Sequence, residues 1–211
     1  MRMAALLAWL TVIGGCGSHS TRGAADLGLA AGAAAGLKLR HQIMARYGDE
    51  AQVFEGYMIL AGDALIVRAF AGPGIDLFTV VRRGIEHEEK AHVPGLSSRL
   101  DLAAVGADIA RAYFPGCGTA AAGSAPATVE CRFFGEPLLE RGDGRGRVVE
   151  RRFPEAHGTG LRVRYSEYRE FAGGELAGRI TLEWGAGENS LVILLLEAEV
   201  IEIVDPALFR L

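Results

Sequence analysis

Leu37-Lys38-Leu39-Arg40-His41-Gln42-Ile43-Met44-Ala45-Arg46-Tyr47 is the stretch on which the fold turns. Leu37, Leu39, His41, Ile43, Ala45 and Tyr47 alternate with Lys38, Arg40, Gln42 and Arg46. A period of two over such a run predicts a strand with one face in a core and one in water. Gly48-Asp49 then supplies a tight turn. The pattern repeats downstream. Strands are expected over 53–61, 64–71, 75–83 and 85–92, separated by Gly62-Asp63, Gly72-Pro73-Gly74 and Gly84. Short strands joined by tight turns make an antiparallel meander.

Residues 98–114 read differently. Leu100, Ala103, Ala104, Ala107, Ile109, Ala110 and Phe114 recur at helical spacing, with Ser98 and Asp101 as N-cap and first-turn acid. Pro115-Gly116 ends the helix. One face is apolar and should pack on the concave side of the sheet. Strands resume after Cys131. Residues 138–140 and 148–152 flank the polar, glycine-rich tip at 141–146, and further strands follow over 161–170, 176–184 and 190–204. Asp205-Pro206-Ala207-Leu208-Phe209 reads as a closing turn that returns Phe209 and Leu211 to the core. The expected class is mainly β with one helix (α+β): a strongly curved antiparallel sheet, or half-open β-barrel, with a helical plug or lid.

The start of the chain carries an address. Arg2 precedes an apolar stretch over 4–13, and two small residues precede Cys16. That is a secretory signal in outline, too short for a membrane span, which needs about 20 apolar residues. Residues 1–15 are expected to be the signal, and 16–36, rich in Gly and Ala, a flexible tether. A single domain is expected over 37–211 of the 211 residues. Removing 1–15 takes away Arg2 and moves the net charge from −4 to −5, without the basic face nucleic-acid binding needs. Cys117 and Cys131 form an even pair in an exported chain, which reads as a disulfide; free thiols and a metal site are the alternatives.

The candidate chemistry is thin. His87 and His92 are five apart, whereas zinc-binding histidines on a helix are four apart, and on a strand that spacing faces them oppositely. Gly142-Asp143-Gly144-Arg145-Gly146 lacks the Lys-Ser/Thr of a phosphate loop, and Ser166 lacks the glycines of a nucleophile elbow. Glu197 and Glu199 share a strand face as a solvated ladder, and His41 and His157 have no partners nearby in sequence. No enzyme activity, cofactor or metal is expected. Leu191-Val192-Ile193-Leu194-Leu195-Leu196 is apolar on both faces. Such a strand, with the helix, either fills a core or lines an apolar cavity; the candidate lining is Leu100, Ile109, Phe114, Leu194 and Leu196.

Two resemblances sharpen these expectations. Ile13-Gly14-Gly15-Cys16 resembles the lipobox of bacterial lipoproteins, which implies acylation of Cys16 after cleavage of the preceding bond. Three acyl chains exceed the two signals that stable anchoring requires. Gly17-Ser18, with no Asp at the second position, fits sorting to the outer membrane. Leu161-Arg162-Val163-Arg164-Tyr165-Ser166-Glu167-Tyr168-Arg169, Gly173-Gly174-Glu175-Leu176-Ala177-Gly178-Arg179-Ile180-Thr181-Leu182 and Asp205-Pro206-Ala207-Leu208-Phe209-Arg210-Leu211 resemble the C-terminal half of the LolA/LolB lipoprotein-carrier superfamily. Residues 51–83, with the break at Gly72-Pro73-Gly74, resemble its N-terminal meander, closest to uncharacterised LolB-like lipoproteins. The resemblance implies a half-barrel on the periplasmic face of the outer membrane that binds acyl chains of lipids or lipoproteins under a helical lid. The bulky apolar residue of the receptor insertion loop is missing from Gly72-Pro73-Gly74. A second expectation is therefore a non-enzymatic accessory or scaffold lipoprotein of an envelope transport or export complex, with a protein partner added at a strand edge.

Overall fold

A computed structural model describes residues 36–211 apart from 73, 99, 119–124, 172–173, 186–188 and 203. Cys16, the signal and the tether up to residue 35 lie outside the described residues. One antiparallel sheet of 11 strands dominates. Its first half is β1 (Gly36–Tyr47), β2 (Glu50–Ala61), β3 (Ala64–Phe70), β4 (Asp76–Arg83) and β5 (Glu86–Ala91). Its second half is β6 (Thr128–Phe133), β7 (Glu136–Gly142), β8 (Val148–Phe153), β9 (Leu161–Phe171), β10 (Gly174–Trp184) and β11 (Asn189–Ile201). Every strand pairs with its sequence neighbour except at one seam, where β1 pairs with β11, and between β5 and β6, which form the two edges. The one α-helix among the described residues, α1 (Leu102–Tyr113), lies between those edges in the chain. The helix packs against β4, β5 and β10, and its Leu102, Ile109, Ala110 and Ala112 belong to the main core, so it covers the core face of the sheet.

The alternating pattern from residue 37 holds. Leu37, Leu39, His41, Ile43 and Ala45 are buried, and Lys38 and Arg46 are exposed. Gly48 and Gly62, at φ 57° and 60°, make the two-residue turns that open and close β2. The seam carries one irregularity. Arg40 pairs with Glu197 but His41 with Leu195, so Leu196 has no partner on β1. The slip reverses the alternation of β11: Leu191, Ile193 and Leu195 are buried before it, and Ala198 and Val200 pack on the core after it.

Asp101 is the N-cap of α1, and its Oδ1 accepts from the Ala104 amide at 3.0 Å. Asp101 was expected inside the first turn. The N-cap instead lies three residues beyond Ser98, whose hydroxyl donates to the Gly95 carbonyl at 2.8 Å. Gly106 sets the depth of the helix, because a Cβ there would stand 2.5 Å from Val80 Cγ1 on β4. Among the described residues no helix is long and apolar enough to cross a membrane.

Two ends of the sheet approach each other. Phe134, in the turn after β6, packs edge-on against Phe114, and its ring would lie 3.9 Å from a Cβ on Gly84, in the turn after β4. β6 itself was not expected as a full strand, although Thr128, Glu130 and Arg132 alternate with Val129, Cys131 and Phe133 in the period of a half-buried strand. β11 stops at Ile201, and the chain then crosses to the convex face. There Val204 and Phe209 join Val81, Ile59, Ile66 and Ile201 in a second apolar cluster. The Arg83 guanidinium donates to the Phe209 carbonyl at 2.6 Å and fastens the turn. Phe209 is thus buried away from the main core, and Leu211, expected inside, is 48% exposed.

Candidate functional site

A cavity of about 420 Å³ opens between the C-terminal end of α1 and strands β8–β11. Its apolar wall is formed by Phe114, Val148, Leu176, Ala177, Ile180 and Leu195. Period-two burial explains most of this wall, since Leu176, Ile180 and Leu195 are inward positions of their strands. Tyr165 and Tyr168 also line the cavity, although residues three apart on a regular strand face opposite ways. Between them Glu167 takes a left-handed backbone, φ 55°, which breaks the alternation. Gly178 lies opposite, where a Cβ would come 2.4 Å from the Glu167 carbonyl oxygen.

The inner wall is polar. Glu140 on β7 and Arg151 on β8 stand opposite in register, both buried, and Arg151 Nε donates to Glu140 Oε2 at 2.8 Å. Arg151 Nη1 donates to the carbonyls of Arg111, Ala112 and Phe114 at 2.9, 3.4 and 2.7 Å. These are the carbonyls a helix leaves unpaired at its C-terminal end, where a cation is favoured. The Tyr165 hydroxyl donates to the Ala112 carbonyl at 2.8 Å, and burial pushes its phenol up to about 12. Glu140 Oε1 is buried without a hydrogen-bond partner among the described residues. A buried carboxylate oxygen left so is costly, which marks this wall as a place where another donor would be accepted.

Deeper in the barrel, Tyr113 Oη and His41 Nε2 are 2.7 Å apart. Burial lowers the His41 pKa to about 3 and holds the Tyr113 phenol well above its ordinary value. A neutral His41 can then accept from the Tyr113 hydroxyl. At the rim, the β7–β8 hairpin tip is organised by Asp143, which accepts from the amides of Arg145 and Arg147 at 2.8 and 3.2 Å. Asp143 also pairs with the Arg147 guanidinium at 2.6 Å, and Arg147 lies over the Tyr168 ring at 4.9 Å. Val148 O accepts from the Tyr168 hydroxyl and fastens this side of the mouth.

The sequence-derived candidates fall in several places. Phe114 lines the main cavity. Ile109 lies in the core and lines a cavity of about 10 Å³ beside His41 and Tyr113. Leu100 packs against the core at the approach to α1. Leu195 takes the inward place on β11, so Leu194 lies on the other face beside Gln42 and Arg179, and Leu196, at the slip, is 43% exposed. Cys117 and Cys131 are joined by a disulfide with a Cα separation of 5.5 Å, which ties the segment after α1 to β6.

Other residues with a possible chemical reading are also placed. Glu197 and Glu199 are exposed and pair with Arg40 and Lys38. Ser166 is exposed on β9. His157, without partners in sequence, contacts both oxygens of the buried Asp108 at 2.9 Å and stacks on Trp184. Arg111 bridges that Asp108 to Glu136 at 2.7 and 2.9 Å, which ties the helix to β7. Glu140 and Arg151 were not picked out from sequence. A signal was present, since Leu138 and Phe153 are inward and alternation puts Glu140 and Arg151 inward with them.

No protein-family model matches the chain, and no curated protein sequence matches it. Solved structures share its fold. A LolA superfamily protein from Nitrosomonas europaea is similar over 83% of this chain and 90% of its own, at 17% identity and a TM-score of 0.60. A domain from Vibrio parahaemolyticus, described as an outer membrane lipoprotein-sorting protein, is similar over 85% of this chain and 91% of its own, at 12% identity and a TM-score of 0.50.

Proposed function

We propose that this chain, whose fold is LolA/LolB-like, is an envelope lipoprotein that binds acyl chains of lipids or lipoproteins in its half-barrel, without covalent chemistry. In this reading residues 1–15 are a cleaved signal, and acylated Cys16 and a tether that ends where Gly36 enters β1 hold the domain at the periplasmic face of the outer membrane. The observation that carries the reading is the half-open cavity of about 420 Å³ between the end of α1 and the sheet. Its size lies in the range of ordinary small-ligand sites. Burial of a chain stabilises by about 0.8 kcal/mol per methylene. Entry of a longer chain requires the end of α1 to move, and the Arg151 bonds to its carbonyls are what such a movement breaks.

Native mass spectrometry of residues 17–211, exported behind a conventional cleavable signal and purified from a bacterial periplasm, tests the reading. A bound mass released as fatty acid or phospholipid is expected. A clean apo mass, with no uptake of an added fluorescent fatty acid, overturns it. The accessory role would then be the better account, with the edge strands β5 and β6 as places for strand addition.

A further inference from the structure

The cations on the cavity wall are not equivalent. Arg151 is committed to Glu140 and to the carbonyls at the end of α1. Arg147 is committed to Asp143, and it also lies 4.0 Å from Glu175 on the opposite rim. Arg145 differs. Its amide is held by Asp143, so its place at the mouth is fixed. Its guanidinium makes no hydrogen bond or ion pair among the described residues. A guanidinium offers five donors in a planar fork that matches a carboxylate or phosphate. Arg145 lines the same cavity as the apolar Phe114, Leu176, Ile180 and Leu195.

The size of the cavity limits what can lie behind it. At about 420 Å³ the cavity lies towards the small end of ordinary ligand sites, which run from about 300 to about 1,000 Å³. A single chain is the smallest acyl ligand that would fill it.

We propose that the site takes a single-chain amphiphile with an anionic head, its chain against Phe114, Leu176, Ile180 and Leu195 and its head on Arg145. This rests on the acyl-chain reading above and narrows it to one chain with a charged end. A fatty-acid carboxylate and a lipid phosphate share the required chemistry.

The test uses residues 17–211, which contain every described strand and α1. Displacement of the uncharged fluorescent probe N-phenyl-1-naphthylamine is followed with tetradecanoic acid, its methyl ester and tetradecyl phosphate. The acid or the phosphate is expected to displace the probe at about five-fold lower concentration than the ester, as one exposed charge pair allows. Arg145→Gln should bring the acid and phosphate to the level of the ester and leave the ester unchanged. Whichever anion shows the larger loss identifies the head. Equal displacement by acid, phosphate and ester, or a gap that survives Arg145→Gln, overturns the head-group assignment and leaves the acyl-chain reading standing. No displacement by any of the three overturns both.

Discussion

Arg151 on β8 faces Glu140 on β7 across one ladder position, and its guanidinium both neutralises that carboxylate and occupies the carbonyl end of α1. A single side chain therefore holds the hairpin, the helix and the inner wall of the cavity together. Removing one member of a buried ion pair leaves an uncompensated charge, which costs about 3–5 kcal/mol. Arg151→Met is expected to cost that much in urea unfolding. Adding Glu140→Leu should recover only part of the loss, because the carbonyls of Arg111 and Phe114 still lack their donor. Full recovery in the double variant would show that the bonds to the helix contribute nothing.

Gly116 is the residue that lets this pair exist. A Cβ there would stand 1.9 Å from Glu140 Oε2 and 3.0 Å from Arg151 Nη2. Gly116→Ala should destabilise by about 3 kcal/mol, the upper end of overpacking costs. In the Glu140→Ala background the same substitution should cost much less, since the clashing carboxylate is gone. Equal costs in both backgrounds would place the strain elsewhere.

His41 gives the protein a pH dependence with a definite sign. Burial keeps it neutral in the folded state down to about pH 3, whereas the unfolded chain takes up a proton near 6.5. The unfolded state then binds more protons, so stability falls as pH drops from 6.5 towards 3. The slope from this one group is at most about 1.4 kcal/mol per pH unit. Urea unfolding between pH 7 and 4 should show a shallower slope for His41→Asn than for the wild type. Parallel slopes would remove His41 as the source.

The bond between Cys117 and Cys131 closes a loop with a sequence separation of 14. On the chain-entropy account a loop of that length is worth about 3 kcal/mol. Replacing both cysteines by serine should lower the stability by that amount, measured against the wild type without reductant. An unchanged midpoint would mean that the segment after α1 is held by its other contacts.

Among the strands from residue 37 to 91, β1 and β3 were legible from period-two burial, whereas β4, buried on both faces, and β5, exposed at all but Ala91, were legible from the glycine turns that bound them. The helix was legible from its apolar spacing, although its start was displaced to the residue whose side chain caps it, Asp101. β6 was missed although Thr128-Val129-Glu130-Cys131-Arg132-Phe133 alternates strictly, a signal only six residues long that follows a stretch rich in Gly, Ala and Pro. The cavity was read less well. Its wall includes Leu195 in place of Leu194 and Leu196, because alternation on an all-apolar strand gives no sign of which face turns inward. Tyr168 joins Tyr165 only through the left-handed backbone at Glu167, which no periodicity announces.

By itself, the sequence determined what is local. Alternation fixes that a segment is a strand with a wet face and a dry one, glycine fixes where it turns, and an apolar period of helical spacing fixes that a helix follows, though not its first residue. Tertiary structure alone decided the partners. That β1 pairs with β11, that α1 spans the gap between two sheet edges, and that Arg151 reaches the helix end are relationships between residues far apart in the chain. Such pairings are selected by the joint burial of many side chains and by the requirement that each buried charge and carbonyl find a partner, conditions that no single stretch contains.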